Sequence, residues 1–156
     1  MENLLDVASY IYNRYKKENN KCIDEMKLHK LLYFSQRESF IQKNEALFED
    51  IFYGWKFGPV LKKIREIYKN GKFLKKIPKD VEDRILPIMN EIFQNYSCKN
   101  SWSLSRLSHG EISWKNSRKG IDDEENGNCP IDINDIKKDA NRIISRKKLL
   151  QDFKFL

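Results

Sequence analysis

The sequence predicts a mainly α-helical protein: a compact single-domain bundle of about six to seven helices, with or without one short β-hairpin. Three observations support this prediction. Apolar residues recur every three or four positions along most of the 156 residues, as they do on the buried face of a helix. Hydrophobic residues make up 40% of the chain and aromatic residues 12%, which is enough material for a core. Asn, Asp, Gly and Pro separate the apolar segments, as is typical of helix ends.

The first two helices are predicted from apolar stripes that follow suitable N-caps. The first helix is expected from Asn3 to Lys17, with Asn3 as its cap. The second opens at Asp24 and runs through Ile41, with an apolar face that is unusually wide. We therefore expect the second helix to be the central and most buried one.

The helical periodicity breaks down in an aromatic-rich run from Leu47 to Pro59, which is either a short extended segment or an ordered loop. Pro59 is expected in the first turn of a third helix, because proline fits that position, and Gly71 ends this helix. Phe73 to Ile77 is a candidate short strand that would pair with Ile51 to Trp55. This pairing would supply the optional hairpin.

The fourth helix is predicted from Asp80 to Tyr96. Pro87 lies inside this pattern and should either kink the helix or mark its true start. Apolar residues between Leu104 and Trp114 then indicate one or two short helices.

An acidic loop, Gly120 to Pro130, precedes the last helix, which opens at Asp132 and continues to about Lys148. Ile131 and Ile136 are spaced to form a hydrophobic staple around the cap. With no internal repeat in view, we expect one domain over residues 1–156. Its motif-bearing core is expected at 4–118, and the acidic loop and C-terminal helix at 120–156.

The net charge of +7 is concentrated in two segments. The stretch from Lys56 to Lys79 contains nine basic residues and a single acid, Glu66. A second basic cluster spans Lys137 to Lys148. The acidic run Asp122 to Glu125 lies between them. Such a field can steer an acidic partner, and it is equally consistent with a solvated, lysine-rich surface.

The chain is expected to be cytoplasmic. It begins without a basic leader and an apolar stretch, and no run is long enough to cross a bilayer. The three cysteines Cys22, Cys98 and Cys129 form no C-x-x-C pair, so we expect reduced, partly buried thiols.

The sequence argues against an enzyme. His109-Gly110-Glu111 has the H-x-E spacing of zinc-dependent deaminases, but the P-C-x-x-C partner is missing and Cys129-Pro130 has the wrong order. The motifs H-E-x-x-H, G-x-x-x-x-G-K, G-x-G-x-x-G and G-x-S-x-G do not occur. We predict no catalytic residue, no metal site and no cofactor.

Nucleic-acid binding is an alternative that we do not favour. Lysines alternate with Phe57, Tyr68 and Phe73 in a way that resembles a groove with stacking residues. The same aromatic residues fall at the spacing of a helical core, which is the more common explanation.

Three motifs together resemble one known family. Residues 26–36 read MKLHKLLYFSQ, similar to K-L-x-K-L-L-Y-x-x-Q; residues 52–60 read FYGWKFGPV, similar to F-x-A-W-x-x-G-P-V; and residues 104–114 read LSRLSHGEISW, similar to L-x-x-x-S/T-H-x-E-x-x-W. In this order they resemble the Panacea domain family, also described as the SocA-like or phage-associated antitoxin domain. Gly54 stands where alanine is usual in the family, which replaces one small residue by another.

The resemblance implies a largely helical antitoxin that neutralises a cognate protein toxin by direct binding, the toxin being encoded next to it. Some family members deliver the toxin to a protease, so a proteolytic adaptor, or a phage-encoded regulator of a host protein, is the alternative. The segment from Gly120 onward matches no motif of the family. The identity of the toxin therefore stays open.

The motif residues divide into two predicted groups. Their mixture of aromatic and charged groups suits a binding surface, although some of them would equally satisfy buried backbone groups. The predicted partner-binding residues are Lys30, His109, Glu111 and Trp114. The predicted structural residues are Leu28, Leu31, Leu32, Tyr33, Trp55, Gly58 and Pro59.

Overall fold

The computed structural model describes residues 1–71, 73 and 76–154, and within them the protein is mainly helical, as predicted. Seven helices and one antiparallel hairpin occur in this part of the chain. In chain order they are α1 (Leu4–Asn19), α2 (Glu25–Lys43), β1 (Tyr53–Trp55), β2 (Gly58–Val60), α3 (Lys62–Lys69), α4 (Lys79–Asn95), α5 (Ser101–His109), α6 (Ile112–Ser117) and α7 (Ile133–Lys154).

Helix α2 is the central element. Asp24 caps it by accepting a hydrogen bond from the Lys27 N–H at 2.8 Å, as an N-cap carboxylate does. Every residue from Lys27 to Phe40 is buried, because α1, α4, α5, α7 and β2 all pack against this helix. The prediction of a central, most buried helix is confirmed.

The hairpin is formed by different segments from those predicted. Tyr53 pairs with Val60 and Trp55 with Gly58, so that a two-residue turn joins the strands. The predicted helix start at Pro59 is wrong, because Pro59 lies in β2 and α3 begins at Lys62. Proline's fixed φ is also compatible with a strand in a two-stranded ribbon, so this residue alone does not distinguish the two structures.

The predicted pairing of Phe73–Ile77 with Ile51–Trp55 is wrong. One side of β1 pairs with β2, and on its other side Tyr53 forms a bridge with Pro130. Phe73 instead fills the core, with its ring stacked 5.1 Å from that of Tyr12. Leu74 and Lys75, which belonged to the predicted strand, lie outside the described residues.

Helix α4 runs without interruption from Lys79 to Asn95, so Pro87 does not mark its start. The carbonyl of Pro87 accepts a hydrogen bond from Gln42 at 3.3 Å, and that of Arg84 accepts one from Lys43 at 3.1 Å. Side chains of α2 thus bond to the backbone of α4 around the proline.

The last helix extends to Lys154, beyond the predicted end at Lys148. Asp132 accepts the Asn134 N–H at 2.8 Å, and both members of the predicted staple, Ile131 and Ile136, are buried. Leu149, Leu150 and Phe153, in the last turns, are exposed.

The cysteines differ from the expectation in their burial. Cys22, Cys98 and Cys129 are free thiols, but all three are exposed. They lie in connecting segments rather than on the buried faces of helices, which explains the difference. In the part of the chain that the structure describes, no helix is both long and apolar enough to span a bilayer.

Candidate functional site

Lys30 of α2 contacts the hairpin, residues 53–60, from the interior of the protein. The Lys30 side chain is only 1% exposed, and its Nζ donates a hydrogen bond to the Pro59 carbonyl at 3.2 Å. Gly58 has a φ of +116°, and a Cβ there would lie 2.4 Å from Lys30 Cε and 2.6 Å from Ser108 Oγ. Glycine is therefore required both by the backbone conformation and by the close approach of Lys30.

Burial lowers the pKa of Lys30 to about 7, although the charges of Asp24 and Glu25 oppose the shift. The cause is desolvation, since a charged ammonium inside the protein loses most of its hydration. A neutral carbonyl is the hydrogen-bond acceptor for this amine.

His109 and Trp114 lie under the turn of the hairpin. Their rings are stacked, with centroids 4.0 Å apart and planes at 11°. Trp114 Nε1 donates to the Trp55 carbonyl at 2.9 Å, and Ser105 Oγ donates to the Phe57 carbonyl at 2.7 Å. These bonds satisfy the backbone carbonyls on both sides of the turn, so the turn is fixed from α5 and α6.

Burial is the main cause that lowers the pKa of His109, and the charge of Lys30 lowers it further. A hydrogen bond to the backbone of Lys56 opposes both effects. The two predicted site residues, Lys30 and His109, therefore lie close enough to influence each other beneath the hairpin.

Glu111 belongs to a different cluster. It is half-buried and pairs with Arg37 of α2, which also donates to the Tyr96 hydroxyl. Burial raises the pKa of Glu111 to about 7, against the charge of Arg37. The structure thus brings Lys30, His109 and Trp114 together and places Glu111 apart from them.

Asp139 of α7 completes this second cluster and was not predicted. Its carboxylate accepts the N–H groups of Ile112 at 2.8 Å and Ser113 at 3.0 Å, at the start of α6. The Tyr33 hydroxyl bonds Ser113 Oγ at 2.6 Å and donates to Asp139 at 3.3 Å. In the sequence, Asp139 stands out only as the single acid within the C-terminal basic cluster, Lys137 to Lys148, and this feature could have indicated its special role.

The predicted structural residues are mostly internal. Trp55 is half-buried, with the Arg65 guanidinium 5.1 Å above its ring. Gly58 and Pro59 are buried in β2. The residues of α2 in this group, which are fully buried in the core, are Leu28, Leu31, Leu32 and Tyr33.

The outer side of the hairpin carries exposed aromatic rings. Phe57, in the turn, is 44% exposed, and Trp102, on α5, is 57% exposed. Their rings meet edge to face, with centroids 5.3 Å apart and planes at 89°. We name Phe57 and Trp102 the aromatic patch. Trp102 was missed because it lies outside the three motifs.

The acidic loop is fastened beside the hairpin by Arg118, which is buried. Its guanidinium donates to the carbonyls of Gly54 at 3.2 Å, Asp122 at 3.0 Å and Glu125 at 2.7 Å. Within the loop, Glu124 pairs with Lys56 at 3.0 Å. The acidic loop therefore lies at one edge of the aromatic patch.

The described residues contain no group of three or more His, Cys, Asp or Glu side chains placed to hold a metal ion. Compared with known families, residues 28–115 match the one described as Antitoxin SocA-like, Panacea domain. This match covers more than half of the chain and includes most of α2, the hairpin, α3, α4, α5 and most of α6. Neither a curated protein nor a solved structure gives a significant match.

Proposed function

Because the chain belongs to the SocA-like Panacea antitoxin family, we propose that it is an antitoxin that neutralises a protein toxin by direct binding. The toxin is a separate protein, encoded next to this chain, and the two meet in the cytoplasm. The proposed mechanism requires no catalytic step, metal or cofactor in this chain. Neutralisation follows from covering the surface through which the toxin acts.

This proposal is supported by the part of the chain that the family model matches. Residues 28–115 supply most of the buried helix α2, the hairpin that α2 supports, and most of the two short helices that fix the turn. The same residues carry Phe57 and Trp102, whose partly exposed rings are of the aromatic types enriched at protein interfaces. A contact of ordinary size would bury about 800 Å² on each partner.

The roles proposed for the predicted partner-binding residues follow from their burial. Lys30 and His109 position the hairpin from below, and Trp114 fixes the carbonyl of Trp55. Glu111 joins α2 to the start of α6 through Arg37. In this proposal these four residues affect toxin binding indirectly, because they fix the shape of the surface above them.

Co-expression tests the proposal. The product of the adjoining gene is induced in cells with and without this chain, and growth is followed while the complex is purified through a tag on one partner. We expect growth to stop without this chain, to recover with it, and the two proteins to co-purify. A neighbouring product that is harmless and does not bind would contradict the proposal.

The same cells distinguish neutralisation from delivery to a protease, the alternative that the resemblance leaves open. Under direct neutralisation, the toxin accumulates in the complex at an undiminished level. If the toxin level instead falls with this chain and recovers when the cell's proteases are inactivated, the protein is an adaptor.

A further inference from the structure

We propose that two copies of this chain associate, with the C-terminal end of α7 from each copy lying in an apolar, acidic groove of the other. We name residues 144–154 the α7 tail, and the cavity between residues 46–52 and the start of α7 the acidic groove. The inference does not depend on the antitoxin proposal, since neither surface includes the aromatic patch. It is supported by the exposure of the tail, by the lining of the groove and by the charges of both.

The α7 tail is a helical segment that the rest of its own chain does not cover. The last buried residue of α7 is Ala140, and every residue from 144 to 154 is exposed. Leu149, Leu150 and Phe153 are 58%, 57% and 63% exposed. Their spacing of three and four residues places them on one side of the helix. Because a short helix gains little stability in water by itself, an apolar partner surface would stabilise this segment.

The acidic groove offers such an apolar surface. Its volume is about 660 Å³, which is large enough to receive several apolar side chains. Two of its isoleucines remain accessible, since Ile51 is 56% exposed and Ile133 is 42% exposed. The apolar lining includes Ile51, Phe52, Pro130, Ile133 and Ile136.

The charged groups at the groove are acids that lack an ion pair. They are Glu49, Asp50 and Asp132, and among the described residues that line the groove no side chain is basic. Lys62 and Lys63 line a neighbouring depression together with Glu49 and Asp50. None of the three acids forms a salt bridge with these lysines or with any other described residue.

The tail carries the opposite charge. It contains four basic residues against the single acid Asp152, and these are Arg146, Lys147, Lys148 and Lys154. Within the described part of the chain, no salt bridge involves any of the four. Two tails would therefore repel each other, as would two grooves, whereas a tail and a groove match in both charge and apolar character.

A single copy cannot bring its own tail to its own groove. The groove includes the first residues of α7 and the tail is formed by the last ones. The 22 residues of this continuous helix extend over about 33 Å. Each copy thus offers one groove and one tail, and mutual exchange between two copies uses both surfaces and closes a dimer.

The main experiment measures the mass of the purified chain by sedimentation equilibrium between about 1 µM and about 100 µM. We expect the mass to rise from 18.7 kDa towards twice that value. Leu150→Ala and Phe153→Ala should each weaken self-association at least about tenfold. Leu107→Ala is the matched control, because Leu107 is also exposed (42%) but lies on α5, outside both surfaces, and it should associate like the unaltered protein. Thermal unfolding of every variant shows whether it is folded.

Charge reversal tests which surfaces meet. Arg146→Glu with Lys148→Glu reverses the tail, and Glu49→Lys with Asp50→Lys reverses the groove. Each double variant alone should be monomeric at concentrations where the unaltered chain is a dimer, because like charges then face each other. Mixed in equal amounts, the two double variants should form a heterodimer, since each tail again meets a groove of opposite charge.

Three results would overturn the inference. The first is an unaltered chain that stays monomeric over the whole concentration range. The second is a folded groove-reversed variant that dimerises as well as the unaltered chain, which would mean that the tail binds elsewhere. The third is a groove-reversed variant that keeps its self-association and loses binding to the product of the adjoining gene, since the groove would then be a contact for that product.

Discussion

The inner and outer sides of the hairpin are built from the same few residues of chain but differ in what surrounds them. On the inner side, side chains from α2, α5 and α6 donate hydrogen bonds to the backbone of the hairpin. Lys30, Ser105 and Trp114 donate to the carbonyls of Pro59, Phe57 and Trp55, respectively. On the outer side, Phe57 and Trp102 contact each other and the solvent. The inner side therefore determines the stability of the hairpin, while the outer side stays accessible to solvent.

The largest effect on stability is expected at Gly58. Gly58→Ala adds a Cβ that meets Lys30 and Ser108 inside the core at a φ disfavoured for alanine, so we expect unfolding free energy to fall by about 3 kcal/mol or more. Chemical denaturation measures this change.

Gly120→Ala is the matched control for Gly58→Ala. Gly120 also has a positive φ, +77°, but a Cβ there would have no heavy atom within 4 Å. This variant should lose only about 1 kcal/mol from the backbone conformation. Equal losses at both glycines would show that Lys30 does not approach the turn closely.

The next effect is expected at Lys30 and depends on pH. Its pKa is about 7 when folded and near the usual 10.5 when unfolded, so between these values the unfolded chain holds the extra proton. The contribution of Lys30 to stability should therefore rise with pH from about 7 to about 10, by about 1.4 kcal/mol per pH unit, and be constant below 7.

Lys30→Met removes this dependence while keeping a chain of similar length. The stability of the variant relative to the unaltered protein should be highest at pH 7 and below, and should decline as the pH is raised to 10. Denaturation curves of both proteins at pH 6, 7, 8 and 9 provide the comparison. A constant difference between them would mean that the buried amine stays charged in the folded state.

The smallest stability effects are expected on the outer side. Phe57→Ala and Trp102→Ala remove rings that are about half exposed, so each should lower the free energy of unfolding by only about 1 kcal/mol, less than the loss expected for Gly58→Ala. Denaturation at neutral pH measures this. A loss above about 2 kcal/mol at either position would show that the pair belongs to the core and would remove the contrast between the two sides.

The helices were largely predictable from the sequence because each has a local signal. Apolar periodicity and the caps Asn3, Asp24 and Asp132 give the positions of α1, α2 and α7, and the structure confirms all three caps. The end of α7 was predicted too early because its last turns expose their leucines, so no buried stripe defines its limit.

The hairpin and its supports were not predictable in the same way. The two-residue turn leads into Gly58, which has a positive φ and is closely approached by Lys30 and Ser108, two residues that are distant from it in sequence. The burial of Lys30 was hidden because α2 is covered on all sides, so its polar residues do not mark a solvent face. Arg118 and Asp139 likewise act through backbone groups that only the fold brings to them.

The most direct test of the central claim is amide hydrogen exchange of the chain alone and bound to the adjoining gene's product. The account predicts that binding slows exchange in the turn, residues 55–58, and in the first turns of α5. Exchange in α7 beyond residue 142 should be unchanged. Slowed exchange confined to α7, with none at the turn, would contradict the account.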